Sequence, residues 1–328
     1  MGSCVSEEAV TVIIVNWNSG TLLAKCLQHL EQQTIPPAHV FVIDNASADN
    51  SAASAETFSN VTLLRMASNH GFAGGNNAAL NQCDTEFIAL LNPDAFPEPD
   101  WLQTLLMAAS SQPEVSAFGS RQLCEETPNV LDGIGDSYLI SGLVWRKRHG
   151  KQQQMKDLIP QEIFSPCAAA ALYRRQDLVD IGGFDEDFFC YVEDIDLGFR
   201  LRLAGHRAMY VPGAVVRHVG SATTGGRHSD FSMYHGHRNL VWTFVKDMPG
   251  FLFWLLLPLH VSMNLASLFW FSFRGRGGII WRAKRDALLG LPKMWHKRQY
   301  IQKTRVASIG QIWRQMDKLM VIIKLCRK

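Results

Sequence analysis

The triplet Asn92-Pro93-Asp94 closes an apolar run over residues 87–91 that reads as a buried strand. A carboxylate presented there can hold a divalent cation. Mg²⁺ and Mn²⁺ take oxygen ligands, keep open positions for phosphates, and act as Lewis acid and charge clamp on a departing diphosphate. The same triplet is also a common turn. Asp44 ends a second apolar run, residues 40–43. From a strand end its carboxylate can accept a hydrogen bond from a base N–H or a ribose hydroxyl. The alternative is an Asx-turn capping the next helix, but Asp49 or Asn50 is the more natural residue for that. Residues 69–77, Asn-His-Gly-Phe-Ala-Gly-Gly-Asn-Asn, form a glycine-rich stretch that opens a helix. Such loops let backbone approach a ligand and aim a helix N-terminus at anions. The stretch has neither the Walker lysine nor G-x-G-x-x-G spacing. In the second half of the chain the densest acid cluster is Glu193-Asp194-Ile195-Asp196. Activating a hydroxyl requires a general base, and a positioned one contributes roughly 10²–10⁴-fold. Acids at a helix start also serve merely as dipole partners, a role that suits Glu193 and Asp196. His218 follows the β-like run 215–217, where a histidine is either structural or a ligand at a strand end.

These residues need elements to aim them. Apolar, β-branched runs at residues 10–15, 40–43, 61–64 and 87–91 alternate with helical patterns at 22–30, 50–58 and 76–82. Strand–helix alternation predicts right-handed βαβ units and a mostly parallel sheet. Ligands of such sheets bind at the carboxyl ends of the strands. Asn16, Asn18, Asp44, Asn45, Asn92 and Asp94 all sit at those ends and are expected to share one crevice. Beyond a helix at 101–110 the pattern loosens, and residues 120–165 show few clear elements. Strands are expected again at 208–211 and 215–218.

Composition bounds the rest. At 328 residues and 47% hydrophobic, the chain suits a large α/β domain with an appendage. Seven cysteines without a C-x-x-C pair argue against a disulfide framework or a structural zinc site. Residues 1–9 are polar and acidic, unlike a signal peptide. The net charge of +2 hides an asymmetry: residues 274–328 carry 15 Lys and Arg against 2 acids, leaving 17 against 28 in the first 273. Before that basic tail lies a 23-residue stretch, 251–273, with no formal charge. As a helix rising about 1.5 Å per residue it would reach roughly 34 Å, enough to cross a bilayer core. Pro258, His260 and Asn264 interrupt it, and a crossing would place the basic tail against the positive-inside tendency. An interfacial or re-entrant helical hairpin, with the tail on anionic headgroups, is the expected arrangement. Nucleic acid is not an expected partner, because the apolar stretch points the tail toward lipid.

Taken together, these motifs resemble glycosyltransferase family 2. The resemblance covers about residues 10–248 and rests on Val-Asn-Trp-Asn at 15–18, Asp44-Asn45-Ala46-Ser47, the 69–77 loop, Leu91-Asn92-Pro93-Asp94, Gly182-Gly183-Phe184-Asp185, Glu193-Asp194-Ile195-Asp196-Leu197 and His218. Their order and spacing are similar to the bacterial rhamnosyltransferase-like branch. The resemblance implies a GT-A fold, a Rossmann-like mixed α/β sheet, over residues 1–248. The donor half would be about 1–95 and the acceptor half about 96–248, with a membrane-associating helical tail over 249–328. It implies an inverting transfer of rhamnose or a similar hexose from a nucleotide-diphosphate donor. The acceptor would be a lipid-linked or other saccharide of cell-surface polysaccharide assembly, at the cytoplasmic face of the membrane. Asn16, Trp17, Asn18 and Asp44 would hold the nucleoside, and Asn69, Gly74, Asn76 and Asn92 the rest of the donor. Asp194 would be the catalytic base, with Glu193 and Asp196 as further acceptor-side candidates. Asp94 and His218 would hold Mn²⁺ or Mg²⁺; Asn92 stands where the family's D-x-D motif has its first carboxylate. Two rivals remain at this point, a sugar-nucleotide nucleotidyltransferase and an inactive membrane scaffold of the same fold. Against the first, residues 16–20 lack the basic, glycine-rich loop that such enzymes carry.

Overall fold

The structure, a computed structural model, describes residues 10–127, 129–220 and 229–318. Four strands open the chain: β1 (Val10–Asn16), β2 (His39–Asp44), β3 (Val61–Arg65) and β4 (Phe87–Leu91). They run parallel in the order β3-β2-β1-β4. Parallel strands are covered on both faces, so they read as unbroken apolar runs, and β1 is buried at every position. Its side chains alternate between two cores. Val10, Val12 and Ile14 pack with Leu23, Cys26 and Leu27 of α1 (Leu22–Glu31). Ile13 and Val15 pack with Ala73, Ala79 and Leu80 of α2 (Gly71–Leu80). A short 3₁₀ helix, Ser51–Thr57, occupies the place of the helix expected at 50–58. Helix α2 begins at Gly71, five residues before the expected start, because the glycine-rich stretch is itself helical.

The second half turns the sheet mixed. Its elements are β5 (Ala95–Pro97), α3 (Trp101–Ser111), β6 (Val115–Cys124), β7 (Val130–Gly133), β8 (Asp136–Tyr138), β9 (Val144–Arg146), β10 (Lys151–Gln152), β11 (Gln161–Glu162), β12 (Ala170–Arg174), α4 (Arg175–Asp180), α5 (Glu193–Leu203) and β13 (Arg207–His218). The expected parallel arrangement holds for β1–β4 and for the pairing of β13 with β6. Strand β12 starts at the carboxyl end of β4, where Asn92 donates its N–H to the Ala169 carbonyl, and so runs antiparallel between β4 and β6. Strand β13 pairs parallel with β6 and antiparallel with β5 and β11. It is one strand with a register shift between Val211 and Val215, where two were expected. Residues 120–165, expected to be poor in structure, hold the five short strands β7–β11. Two of these, β8 and β9, form a hairpin apart from the main sheet.

The chain ends in α6 (Asp230–Asp247), α7 (Gly250–Phe273), α8 (Gly277–Leu289), α9 (Leu291–Thr304) and α10 (Ile309–Gln315). These helices share a third core with α5. Ile195, Phe199 and Leu203 pack with Trp242, Phe244, Leu252, Phe253, Ala287, Met294 and Ile312. An ion cluster, buried at Lys246 and Asp185 and open at Lys293, pins them further. Asp185 takes Lys246 Nζ at 2.6 Å and also Lys297, and Asp187 takes Lys293 and Lys297 at 2.6 Å each. Helix α7 is long and apolar enough to cross a membrane by length and composition. In the fold it carries apolar residues on its exposed side as well as its buried one. His260 is buried, with Nδ1 2.9 Å from the Ser141 carbonyl and its ring stacked on Phe244. Asn264 bonds back to His260, while Phe251, Trp254, Leu265, Phe269, Trp270 and Phe273 are exposed. Leu252, Phe253 and Leu256 thus dock the first half of the helix in the third core, and His260 fastens its middle.

Candidate active site

The carboxyl ends of the parallel strands open into a cavity of about 550 Å³. Asn92, Pro93 and Asp94 line it, together with Trp17, Asn45, Asn69 and Gly71 on the side of β1 and β2. Asp136, Arg146, Cys167, Glu193 and Asp194 complete the lining, and His218 joins it beside Asp94. The fold thus brings Asp94 and Asp194 to one space, although they are 100 residues apart.

On the β1–β2 side the polar residues hold loops together. Asn16 Nδ2 donates to Ser51 Oγ at 2.9 Å and to Ser47 Oγ at 3.2 Å, and lies 3.4 Å from Asp44 Oδ1. Asn18 Oδ1 accepts from the Ala48 N–H at 2.7 Å, and Asp44 faces Arg65 at 3.5 Å. Of this group the cavity wall itself takes Trp17. Asn45 links the β2 end to the glycine-rich stretch: its Nδ2 donates to Asn69 Oδ1 and the Gly71 carbonyl, both at 2.9 Å, and its Oδ1 accepts from the His70 N–H at 2.9 Å. Gly71 has φ +71°, and a Cβ there would collide with the Phe189 carbonyl. Only glycine lets α2 start against that loop. Gly74 and Asn76 lie one turn on, behind the wall. A Cβ on Gly74 would meet His70 Cβ at 2.8 Å, and Asn76 Nδ2 donates to the Phe72 carbonyl at 2.8 Å.

The turn after β4 and the end of β13 meet at Asp94 and His218, whose Oδ1 and Nε2 lie 3.2 Å apart. His218 Nδ1 lies 3.0 Å from Asp132 Oδ2. Burial disfavours the imidazolium, but the hydrogen bonds and charges of Asp132 and Asp94 outweigh burial and lift His218 to about 9. Burial likewise pushes the Asp132 carboxyl up, yet His149, His218 and the Arg146 charge hold it below the carboxylate range. These residues fit a divalent cation. A carboxylate and an imidazole nitrogen converge, and the second nitrogen of that imidazole rests on a carboxylate, as metal-ligating histidines arrange it. Asn92 stands on the same turn and also faces the cavity.

Across the cavity Asp194 opens α5. Its Oδ1 accepts from the Ile195 N–H at 2.8 Å and its Oδ2 from the Ala168 N–H at 3.4 Å. Burial raises its pKa above the ordinary aspartate value, against the pull of Arg146 and those N–H groups. A raised carboxyl at a cavity wall suits a general base. Glu193 is pushed well up by burial and by Asp194. Asp196 points elsewhere, buried against Arg200 Nε at 2.9 Å and Lys246. Asp194, Asp136 and Cys167 bring one ligand atom each to within 4.8 Å of one another. Burial raises Asp136 to about 7, partly offset by Arg146. That trio already has the Arg146 guanidinium among its charges, and burial lifts the Cys167 thiol far above its ordinary value. A soft ligand kept protonated beside a resident cation makes it the poorer metal site.

The loop leading into α5 is strained. Phe189, Tyr191 and Val192 have φ of 63°, 66° and 69°, a region that bulky and β-branched residues avoid. Helix α6 holds the loop there. Asn239 Nδ2 donates to the carbonyls of Phe188, Cys190 and Tyr191 at 2.9, 3.0 and 2.7 Å, and Arg238 to those of Asp187 and Phe188.

Sequence reasoning missed Asp132, Asp136, Arg146 and Asn239, and named Asn45 without giving it a role. Two carboxylates flanking glycines in Asp132-Gly133-Ile134-Gly135-Asp136 were the available signal for the first pair. Asn45 stood beside the chosen Asp44.

The sequence profile of Glycosyl transferase family 2 matches residues 11–182. An N-acetylglucosaminyl-diphospho-decaprenol L-rhamnosyltransferase of Mycobacterium tuberculosis is 28% identical over 281 residues, which cover 78% of this chain and 90% of that protein. An O-antigen chain rhamnosyltransferase of Salmonella typhimurium is 28% identical over 69% of this chain and 72% of its own. Among solved structures, a mannosyltransferase of Pyrobaculum calidifontis in complex with GDP-Man and Mn²⁺ superposes with a TM-score of 0.55 at 20% identity, covering 95% of this chain and 89% of that one. That likeness shows the GT-A fold. With a matching profile over more than half its length, and a crevice built from that family's motifs, the chain belongs to glycosyltransferase family 2.

Proposed function

We propose that the protein is an inverting rhamnosyltransferase that uses a nucleoside-diphosphate rhamnose and a lipid-linked saccharide acceptor at the cytoplasmic face of the membrane. The observation that supports this reading is that Asp194 and the Asp94–His218 pair line one cavity. Donor and acceptor classes are taken from the relatives, two of which are rhamnosyltransferases and one of which is named for a diphospho-decaprenol acceptor.

The reaction is a single displacement. Asp194 accepts the acceptor hydroxyl proton as its oxygen bonds to the anomeric carbon. The bond from that carbon to the diphosphate oxygen breaks on the opposite face, so the configuration inverts. Asp94 and His218, with Asn92 beside them, would hold Mn²⁺ or Mg²⁺, which supplies charge neutralisation to the leaving diphosphate. Trp17 offers a flat apolar wall to the nucleoside. The 69–71 turn brings backbone to the phosphates, and the N-terminus of α2 points the favourable end of its dipole at them. The strained loop 188–192, held by Asn239, sets the angle at which α5 presents Asp194.

The exposed face of α7 supports membrane association. Trp254, Phe269 and Trp270 are more than half exposed on it, and the chain beyond is strongly basic. Phe271, on the same helix, lines the active cavity, so a membrane-bound acceptor would meet the cavity at the bilayer surface. The reading is an interfacial hairpin of α7 and α8 on anionic headgroups.

The test is incubation with Mn²⁺ or Mg²⁺ and dTDP-rhamnose or UDP-sugars, with a short-tailed diphospholipid saccharide as acceptor. Release of nucleoside diphosphate with a product of inverted anomeric configuration by NMR is expected. Pyrophosphate release would instead identify a nucleotidyltransferase, and no product at all a scaffold.

A further inference from the structure

Between the two reacting ends of the cavity runs a continuous chain of buried charges. Asp94 Oδ1 lies 3.2 Å from His218 Nε2, and His218 Nδ1 lies 3.0 Å from Asp132 Oδ2. Arg146 Nη1 donates to the same Asp132 oxygen at 2.8 Å, and Arg146 Nε to Asp136 Oδ1 at 3.4 Å. The Asp136 carboxylate then comes within 4.8 Å of Asp194. The members come from separate segments: the turn after β4, the end of β13, β7, β9, β8 and the start of α5. Arg146 is the link that bridges the halves, since it pairs with both Asp132 and Asp136. Its planar fork donates in two directions at fixed geometry, which a lysine ammonium does not reproduce. Room for it is built into the fold. A Cβ on Gly133 would collide with Cγ and Cδ of Arg146, and Gly133 does not have a positive φ that would call for glycine on other grounds.

We propose that Arg146 is a positioning residue for the transfer. It fixes the separation between the leaving-group side, at Asp94 and His218, and the acceptor side, at Asp136 and Asp194. Asp136 is held as the second acceptor-side carboxylate, and Gly133 is the gap through which the Arg146 stem reaches both. Positional errors of about 1 Å at a reacting pair can cost on the order of 10²-fold. The effect is therefore expected on the chemical step and not on donor binding.

This inference rests on the glycosyl-transfer reading, and the experiment separates the two. Wild type, Arg146→Lys and Gly133→Ala are compared for nucleoside diphosphate release with dTDP-rhamnose, Mn²⁺ and acceptor. Binding of Mn²⁺ and of dTDP is measured on each by calorimetry. Arg146→Lys keeps the positive charge, and Gly133→Ala keeps Arg146 itself but displaces its stem, so neither strands the carboxylates without a cation. Both are expected to lower kcat by about 10²-fold, with KM for the donor and both binding constants within threefold of wild type. Arg146→Lys paired with Asp194→Asn should lose far less than the product of the single losses, because the two act on one step. Unchanged kcat in either variant would overturn the inference while leaving the function intact. So would additive losses in the double variant, or parallel losses of kcat and dTDP binding. Absence of transfer by the wild-type protein would overturn the functional reading and this inference with it.

Discussion

At the residue scale the site depends on a few charges whose surroundings are set by the fold. Asp194→Asn should lower kcat by roughly 10²–10⁴ with little change in dTDP affinity, because the amide keeps the shape and removes the proton acceptor. Turnover near wild type in a stopped assay would exclude Asp194 as the base. Asp94→Ala should raise the Mn²⁺ concentration needed for half-maximal rate by at least tenfold, an effect read directly from a metal titration. His218 carries a pH signature as well. Its folded pKa, about 9, lies above the ordinary value of 6.5, so the stability it contributes is fully present below pH 6.5 and is lost as pH rises through 9. In chelator, His218→Gln should therefore cost most in thermal melts near pH 6 and progressively less toward pH 9. A cost that grows with pH would contradict this assignment. Asp94, Asp194 and His218 were legible in the sequence because each closes or opens a patterned segment, and a boundary in a parallel sheet has a known side. Arg146 and Asp132 were not. They sit in strands of three and four residues, too short to show a period, and acquire meaning only through pairing with His218, 86 positions away from Asp132.

At the element scale the sequence patterns that worked are those fixed by local periodicity. Strands β1–β4 and helices α1 and α3 were readable from apolar runs and their spacing. The antiparallel insertion of β12 was not, because its orientation follows from where residues 167–169 re-enter the sheet and from nothing in β12 itself. Helix α2 was placed late because glycines are poor helix formers. Here close contacts with Val15, His70 and Phe189 require them, and tertiary packing overrides propensity. The loop 188–192 is the element whose geometry is held from outside. Asn239→Ala removes the donor to three carbonyls and should destabilise the fold by about 2–4 kcal/mol, measured by denaturant unfolding. It should also lower kcat, and Asn239→Asp, which sets a buried acid against the same three carbonyls, should lower it at least as much. Equal activity in the alanine variant would show that the strained loop does not set the placement of Asp194.

At the scale of the whole molecule, the α5–α10 core makes the basic C-terminal region structurally part of the site-bearing fold. Two ion-paired aspartates and an apolar cluster tie it to the segment that leads into the base. A chain cut before α7 should therefore lose its cooperative melt, in contrast to what removal of a detachable anchor would do. Binding to vesicles with anionic headgroups should fall as salt rises, since part of the attraction is between exposed charges. Trp254→Glu combined with Phe269→Glu should abolish flotation with such vesicles and change stability by no more than about 0.5 kcal/mol, because both side chains are exposed. Retention of flotation would remove the α7 face from the interaction. Donor binding should stabilise the whole chain cooperatively, by about 2.7 kcal/mol at 100 times its dissociation constant. The buried His260 of α7 has a further consequence, for substitution tolerance along the helix. On an ordinary surface helix, exchanging a polar residue for leucine is among the mildest changes. In α7, His260→Leu would raise the hydropathy of the segment and yet loosen it, because His260 fastens the middle of the helix to Ser141 and Phe244. A deep mutational scan of residues 250–273 would therefore find His260 restrictive beside the buried Leu252, Phe253 and Leu256, a position that the hydropathy profile marks as a blemish.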